Sequence, residues 1–161
     1  MFRRAWCRLA LSATVAQHAS EVNFSDRAWK RVAAVNAMEG HDNRTRFLRM
    51  SIVPGGCQGF SYQFEFDQEL DPEEDIVFEN DSVPQPPTIN ADGDEVAAPA
   101  GAVTSSRIVV DKESLKKLQG ATIDYHSELK GSAFVVVGNE LVDTACACAA
   151  SFSLQKKKKN A

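Results

Sequence analysis

RFLRMSIVPGGCQGFSYQFEFD, from Arg46 to Asp67, holds two runs of period two on either side of a glycine-rich break. Leu48, Met50 and Ile52 alternate with Arg49 and Ser51, which gives a strand one apolar and one polar face. Pro54-Gly55-Gly56 stops that run, since proline lacks a ladder donor and glycine reaches backbone angles that other residues resist. The second run sets Phe60, Tyr62, Phe64 and Phe66 against Ser61, Gln63, Glu65 and Asp67. Two strands flanking such a break predict a hairpin, and its tip carries Cys57. Tyr62, Phe64 and Phe66 read as core rather than as a cofactor platform, given their strict alternation.

Upstream, Asn23-Phe24-Ser25-Asp26 reads as a helix entry, with Ser25 as N-cap and Asp26 at the positive end of the helix dipole. Ala28, Val32, Val35 and Met38 are expected to form its buried stripe, with Trp29 beside it and Gly40 as the stop. Downstream, residues 67–75 form an acidic connection and Ile76-Val77-Phe78 a short strand. Residues 82–105 hold four of the six prolines, two glycines, three acids and no base or aromatic residue. Such a stretch buries too little to offset its ordering entropy, so a disordered loop is expected. Arg107-Ile108-Val109-Val110 is a strand, and Asp111 caps a helix from Lys112 to Leu118 with a Glu113–Lys117 pair and a stop at Gly120. Thr122 to Tyr125 and Ser132 to Val137 are further strands, separated by a turn at Gly131. Many short strands with an N-terminal helix and a second short helix predict a β-rich α+β domain of packed sheets.

The 161 residues have a net charge of −4, unevenly distributed. Residues 1–20 carry Arg3, Arg4 and Arg8 and no acid, and residues 156–159 are four lysines, expected as a solvated tail. The body, 21–155, holds all 22 acids against 11 bases. That surplus repels phosphate backbones and argues against nucleic acid as a partner. No apolar run approaches the ~18 residues of a membrane span. The leader, MFRRAWCRLALSATVAQHAS, has the arginine-bearing, acid-free composition of a mitochondrial transit peptide. Matrix import would place the chain in a reducing compartment, where thiols stay free.

Of the four cysteines, Cys7 lies in that leader. The others are Cys57, in the glycine-rich turn, and the pair Cys146 and Cys148 around Ala147. Glycines let the backbone curl so that amide N–H groups can face a thiolate. An i,i+2 spacing on an extended chain puts two sulfurs on one side. Iron–sulfur clusters are usually held by cysteine thiolates, commonly four. Three per chain therefore implies a second subunit, an outside thiol or an open iron position. Other uses of the same residues stay open at this point. Zinc could take the three cysteines with His41 or His126, although the usual C-x₂-C knuckle is absent. Cys146 and Cys148 could form a strained, redox-active disulfide. Any of the thiols could simply pack as a small hydrophobe.

The ordered set of segments resembles the A-type iron–sulfur carriers of the IscA/SufA/HesB group, and most closely their mitochondrial Isa2-type branch. The matching residues are Phe47 to Met50, Gly55-Gly56-Cys57-Gln58-Gly59-Phe60-Ser61-Tyr62-Gln63-Phe64, Ile108 to Asp111, Gly120 to Tyr125 with Glu128-Leu129, and Cys146-Ala147-Cys148-Ala149-Ala150-Ser151-Phe152. Phe60 stands where the Isa1-type branch usually has leucine. The resemblance implies a HesB-like domain of twisted packed β-sheets over residues 21–155, followed by a basic tail, 156–161. It implies Cys57, Cys146 and Cys148 as ligands of a [2Fe–2S] or [4Fe–4S] cluster, and a carrier rather than an enzyme. The expected role is maturation of mitochondrial [4Fe–4S] proteins. The partners it implies are a second copy or an Isa1-type carrier, a monothiol glutaredoxin as donor, a folate-binding-fold assembly factor and apo client enzymes. The alternatives are an iron donor or zinc protein, and a thiol oxidoreductase using the C-terminal pair.

Three departures stand out. The 88 residues between Cys57 and Cys146 exceed the family's usual spacing by about the length of the 82–105 stretch, and lengthening a loop costs little closure entropy. Ala147 and Ala149 replace glycines. Asn139-Glu140 stands where relatives have Asn-Pro.

Overall fold

The computed structural model describes residues 22–55, 59–89, 95–97, 101–128, 131–145 and 151–154. The expected leader with Cys7, the ligand candidates Cys57, Cys146 and Cys148, and the lysine tail lie outside the described residues.

The hairpin read from Arg46 to Asp67 is the centre of the fold. Strands β2 (Phe47–Pro54) and β3 (Phe60–Asp67) pair antiparallel in unbroken register from Phe47 with Asp67 to Pro54 with Phe60. Around them stand β4 (Asp75–Pro84), β7 (Val103–Asp111), β10 (Val142–Ala145) and β11 (Ser151–Leu154). The six form one sheet in the order β10-β11-β3-β2-β7-β4, in which β2 and β7 run parallel. A second sheet, β1-β8-β9, combines β1 (Val22–Phe24) with β8 (Ala121–Glu128) and β9 (Gly131–Val137). A small ribbon joins β5 (Thr88–Ile89) to β6 (Glu95–Val96).

Helix α1 (Asp26–Met38) packs on β8, β7 and β4, closing the core between the two sheets. Leu48, Met50, Ile52, Ile108, Val110, Ile76 and Phe78 face it from the large sheet, and Val22, Ala121 and Ile123 from the small one. Ser25 is the N-cap, its hydroxyl accepting from the Ala28 amide at 3.1 Å. The buried stripe differs from the one expected. Ala28, Trp29, Val32, Ala33 and Asn36 are buried, while Met38 is 68% exposed. The buried residues fall on two i,i+4 rows, Ala28-Val32-Asn36 and Trp29-Ala33, and Met38 lies on neither. Asn36 ends the first row, donating to Asn43 Oδ1 and to the Arg46 carbonyl, each at 2.9 Å.

The β-rich α+β architecture agrees with the expectation; several boundaries do not. The disordered loop expected over 82–105 is corrected at both edges. β4 continues to Pro84 and β7 begins at Val103, and these two residues are Cα partners. Val83 is 2% exposed in the core, and a register shift between Asn80 and Val83 gives the strand the twist that carries it there. Composition alone hid this, because the few apolar residues of the segment lie beside a strand already in place. The second helix, α2 (Lys112–Leu115), is one turn long, and the expected Glu113–Lys117 pair is corrected to Glu113–Lys116 at 2.5 Å. Lys117 Nζ instead donates to the Glu113 carbonyl at 2.9 Å.

The outer face of the large sheet is also partly apolar. Phe47 and Val109, at 3% and 0% exposure, lie there with Val77 beneath the 68–74 connection and line a cavity of about 330 Å³ with Leu70. Arg49 holds that connection down. Its guanidinium donates to Asp67 at 2.9 Å, Asp75 at 2.6 Å and the Glu69 carbonyl at 2.6 Å. Asp75 leads the causes that raise the Arg49 pKa above its usual value, outweighing the cost of burial.

Candidate functional site

The ligand candidates sit in connections whose ends are described. Gly55 and Gly59 close the first, with the Gly55 amide donating to the Gly59 carbonyl at 2.9 Å. Their φ angles of 147° and 106° suit glycine and strain other residues, and nothing lies within 4 Å of where a Cβ would stand. These glycines therefore serve the shape of the turn and not the space around it. Cys57 lies two residues before Gly59.

The second connection joins β10 to β11. Ala145 pairs with Phe152, and β11 attaches to β3 through two Cα pairs, Ser151 with Ser61 and Phe152 with Phe60. Gly59 adjoins Phe60. The anchors of the two connections, Gly59 and Ser151, thus stand two residue steps and one strand spacing apart, about 8 Å. Cys148 precedes Ser151 by three residues. At up to ~3.5 Å of reach per residue, both cysteine-bearing segments are tethered within range of one site. Strand direction adds a constraint. β3 runs away from Gly59 and β11 runs back toward it, so the chain leaves the two anchors by opposite ends of the strand pair.

Beneath the anchors is an aromatic seat. Phe152 is 1% exposed and stacks on Tyr62 at 4.2 Å and on Phe60 at 5.9 Å between ring centroids. Tyr62, Phe64 and Phe66, expected as core, are half-buried against it, and Phe64 and Phe66 meet Phe134 of β9. Burial pushes the Tyr62 hydroxyl above its ordinary value of 10 and the Asn139 bond acts against this, so the hydroxyl stays neutral at physiological pH. It accepts from Asn139 Nδ2 at 3.1 Å. Sequence reasoning noted Asn139 only as a departure in its neighbour and missed this contact. An asparagine beside Gly138, between two strand patterns, was the available signal.

The histidines offered for zinc are placed elsewhere. His41 is exposed after α1, where its amide donates to the Asn36 carbonyl at 2.8 Å. His126 Nε2 lies 3.0 Å from Asp124 Oδ2 on β8. Asp124, read as a strand residue, also ties β8 to the start of α1. It accepts from Ser25, from Arg27 and from the Tyr125 amide at 2.8 Å. Burial pushes its carboxyl up, but the hydrogen bonds from Ser25, Tyr125 and Arg27 outweigh this and hold it at about 2.

No family model matches the chain. Among curated proteins it is 35% identical over 153 residues to the iron–sulfur cluster insertion protein ErpA 2 of Methylococcus capsulatus, covering 95% of this chain and 91% of that one. It is 32% identical to ErpA of Legionella pneumophila, covering 89% and 94%, and 37% identical to ErpA of Actinobacillus pleuropneumoniae, covering 81% and 92%. Among solved structures, IscA with the [2Fe–2S] cluster superposes with a TM-score of 0.58 at 18% identity, covering 84% of this chain and 99% of that one. Escherichia coli SufA gives 0.52 at 17% identity, covering 82% and 91%. These two likenesses bear on the fold and agree with the HesB-like architecture. Identity above 30% along nearly the whole length of several relatives bears on descent: the chain belongs to the A-type iron–sulfur carrier family.

Proposed function

We propose that this protein carries an iron–sulfur cluster as cargo, accepting it on the thiolates of Cys57, Cys146 and Cys148 and releasing it to client proteins. Family membership supports the chemistry, and one observation supports the site. The register of β11 on β3 tethers the two cysteine-bearing connections about 8 Å apart at their anchors. The donor set suits the cargo, since soft thiolates select iron–sulfur clusters and must lose their protons to bind. Three donors leave one iron position to a second protomer or an external thiol. A cluster held that way dissociates more readily than one with four ligands from a single chain, which is what a carrier needs and an electron-transfer protein does not. Delivery of the cargo requires no bond-making catalysis by the chain, so the protein is read as a carrier and not an enzyme.

The finer reading places the protein in the mitochondrial matrix as an Isa2-type carrier for [4Fe–4S] maturation. Its support is the acid-free, arginine-bearing leader together with Phe60 after the cysteine turn. The partners proposed with it are an Isa1-type carrier or a second copy, a monothiol glutaredoxin donor, a folate-binding-fold factor and apo [4Fe–4S] enzymes. Fluorescent tagging of the full chain in cells tests the location: matrix import is expected, and a cytosolic signal that persists with an intact leader would contradict it. Anaerobic reconstitution tests the chemistry. A carrier acquires visible charge-transfer bands with equal iron and acid-labile sulfide. Iron without sulfide would mark an iron donor, and neither would leave the thiols to redox work.

A further inference from the structure

Among the described residues, the C-terminal hairpin, β10 and β11, is joined to the rest of the large sheet by two Cα pairs. A two-stranded ribbon held so narrowly is marginal in water unless something else seats it. Two things do. One is Phe152, buried on Phe60 and Tyr62. The other is Asn139, in the turn that leads into β10. Its Nδ2 donates to the Tyr62 hydroxyl at 3.1 Å and to the Lys117 carbonyl at 2.8 Å, and its Oδ1 accepts from the Leu141 amide at 3.1 Å and the Gln119 amide at 3.4 Å. One side chain thus joins three parts of the fold: the end of the α2 turn, β3, and the approach to β10. The Glu140 amide donates to the Gln119 carbonyl at 2.9 Å, a bond that proline at this position could not make.

We infer that Asn139 and Tyr62 are positioning residues that clasp the C-terminal hairpin onto β3, and so fix the spacing between Gly59 and Ser151, the anchors of the two cysteine-bearing connections. The inference rests on the reading of these three cysteines as cluster ligands. In the clasped state Ser151 and Gly59 keep their fixed separation. When the clasp opens, the hairpin loses two register pairs and the Phe152 seat together, and Gly59 and Ser151 are no longer held at that separation. Tyr62 suits the role because its hydroxyl stays neutral, so the clasp holds across the physiological pH range.

The test uses the full-length protein with Asn139→Ala and Tyr62→Phe; the second removes one acceptor and keeps the aromatic stack, so it folds even if the first does not. Hydrogen exchange of the cluster-free protein is expected to quicken about tenfold in residues 142–145 and 152–154 for Asn139→Ala, and less for Tyr62→Phe, with residues 105–110 unchanged. After reconstitution, the rate of cluster loss to a chelator should rise in the same order. Unchanged exchange in the hairpin, or a rise of equal size throughout the sheet, would overturn the clasp. Faster hairpin exchange with cluster loss at the wild-type rate would overturn the positioning role. A wild type that holds no cluster would overturn the ligand reading and the positioning role with it, while the exchange data would still decide the clasp.

Discussion

Two charged residues show how single side chains organise this fold. Asp75 has a side chain only 2% exposed and is neutralised by Arg49. Replacing Arg49 by Met leaves a buried carboxylate without its cation, which costs about 3–5 kcal/mol. Chemical denaturation should show that loss, and Asp75→Asn added to Arg49→Met should recover part of it; an unaffected single variant would contradict the role given to Arg49. Asp124 makes a prediction in pH. Its carboxyl falls from an ordinary 3.8 to about 2 in the folded state. A depressed carboxyl stabilises the fold above the unfolded value and loses that contribution as pH falls through the folded one. The share, about 2 kcal/mol, is therefore present at pH 5 and lost between about pH 4 and pH 2. In Asp124→Asn that part of the acid dependence should be missing from stability curves measured over the same window. None of these roles was legible in the sequence. Alternation marks Arg49 as outward-facing, but which acids reach it depends on how the 67–75 connection folds back.

At the scale of elements, the hairpin around Cys57 was fully legible because period-two patterning and a glycine break are local signals. The N-cap at Ser25 was legible for the same reason. What failed depended on neighbours distant in sequence. Met38 has helical spacing from Ala28 and Val35, yet it is exposed. Val83 sits in a proline-rich stretch, yet Thr104 is its partner across the ladder. This pairing sets how much of the long insertion can be removed. Pro84 and Val103 are already partners, and the Gln85 amide donates to the Ala102 carbonyl at 2.9 Å. Replacing residues 86–101 with an Asn-Gly turn should therefore leave the melting temperature within a few degrees, since shortening a loop changes closure entropy only slowly. Excising all of 82–105 also removes Val83 and the end of the ladder, and should cost about 2 kcal/mol more. Calorimetry of the two deletions side by side checks this; equal melting temperatures would show that the ladder beyond Asn80 contributes nothing.

For the whole molecule, the three thiols were legible in the sequence, and the structure describes the ends of the two connections that carry them. Residues separated by 88 others are useful together only if the fold returns the chain to its starting point. β11 does this by pairing with the strand that follows the Cys57 turn. Spacing along the chain could not reveal that return, because the insertion stretched the interval without moving either anchor.

Iron and acid-labile sulfide per chain, measured after anaerobic reconstitution of the wild type and of Cys7→Ser, Cys57→Ser, Cys146→Ser and Cys148→Ser, test the central claim most directly. The account predicts equal iron and sulfide in the wild type and in Cys7→Ser, and loss of most of both in each of the other three. Undiminished cluster content in the Cys57, Cys146 and Cys148 variants would contradict it.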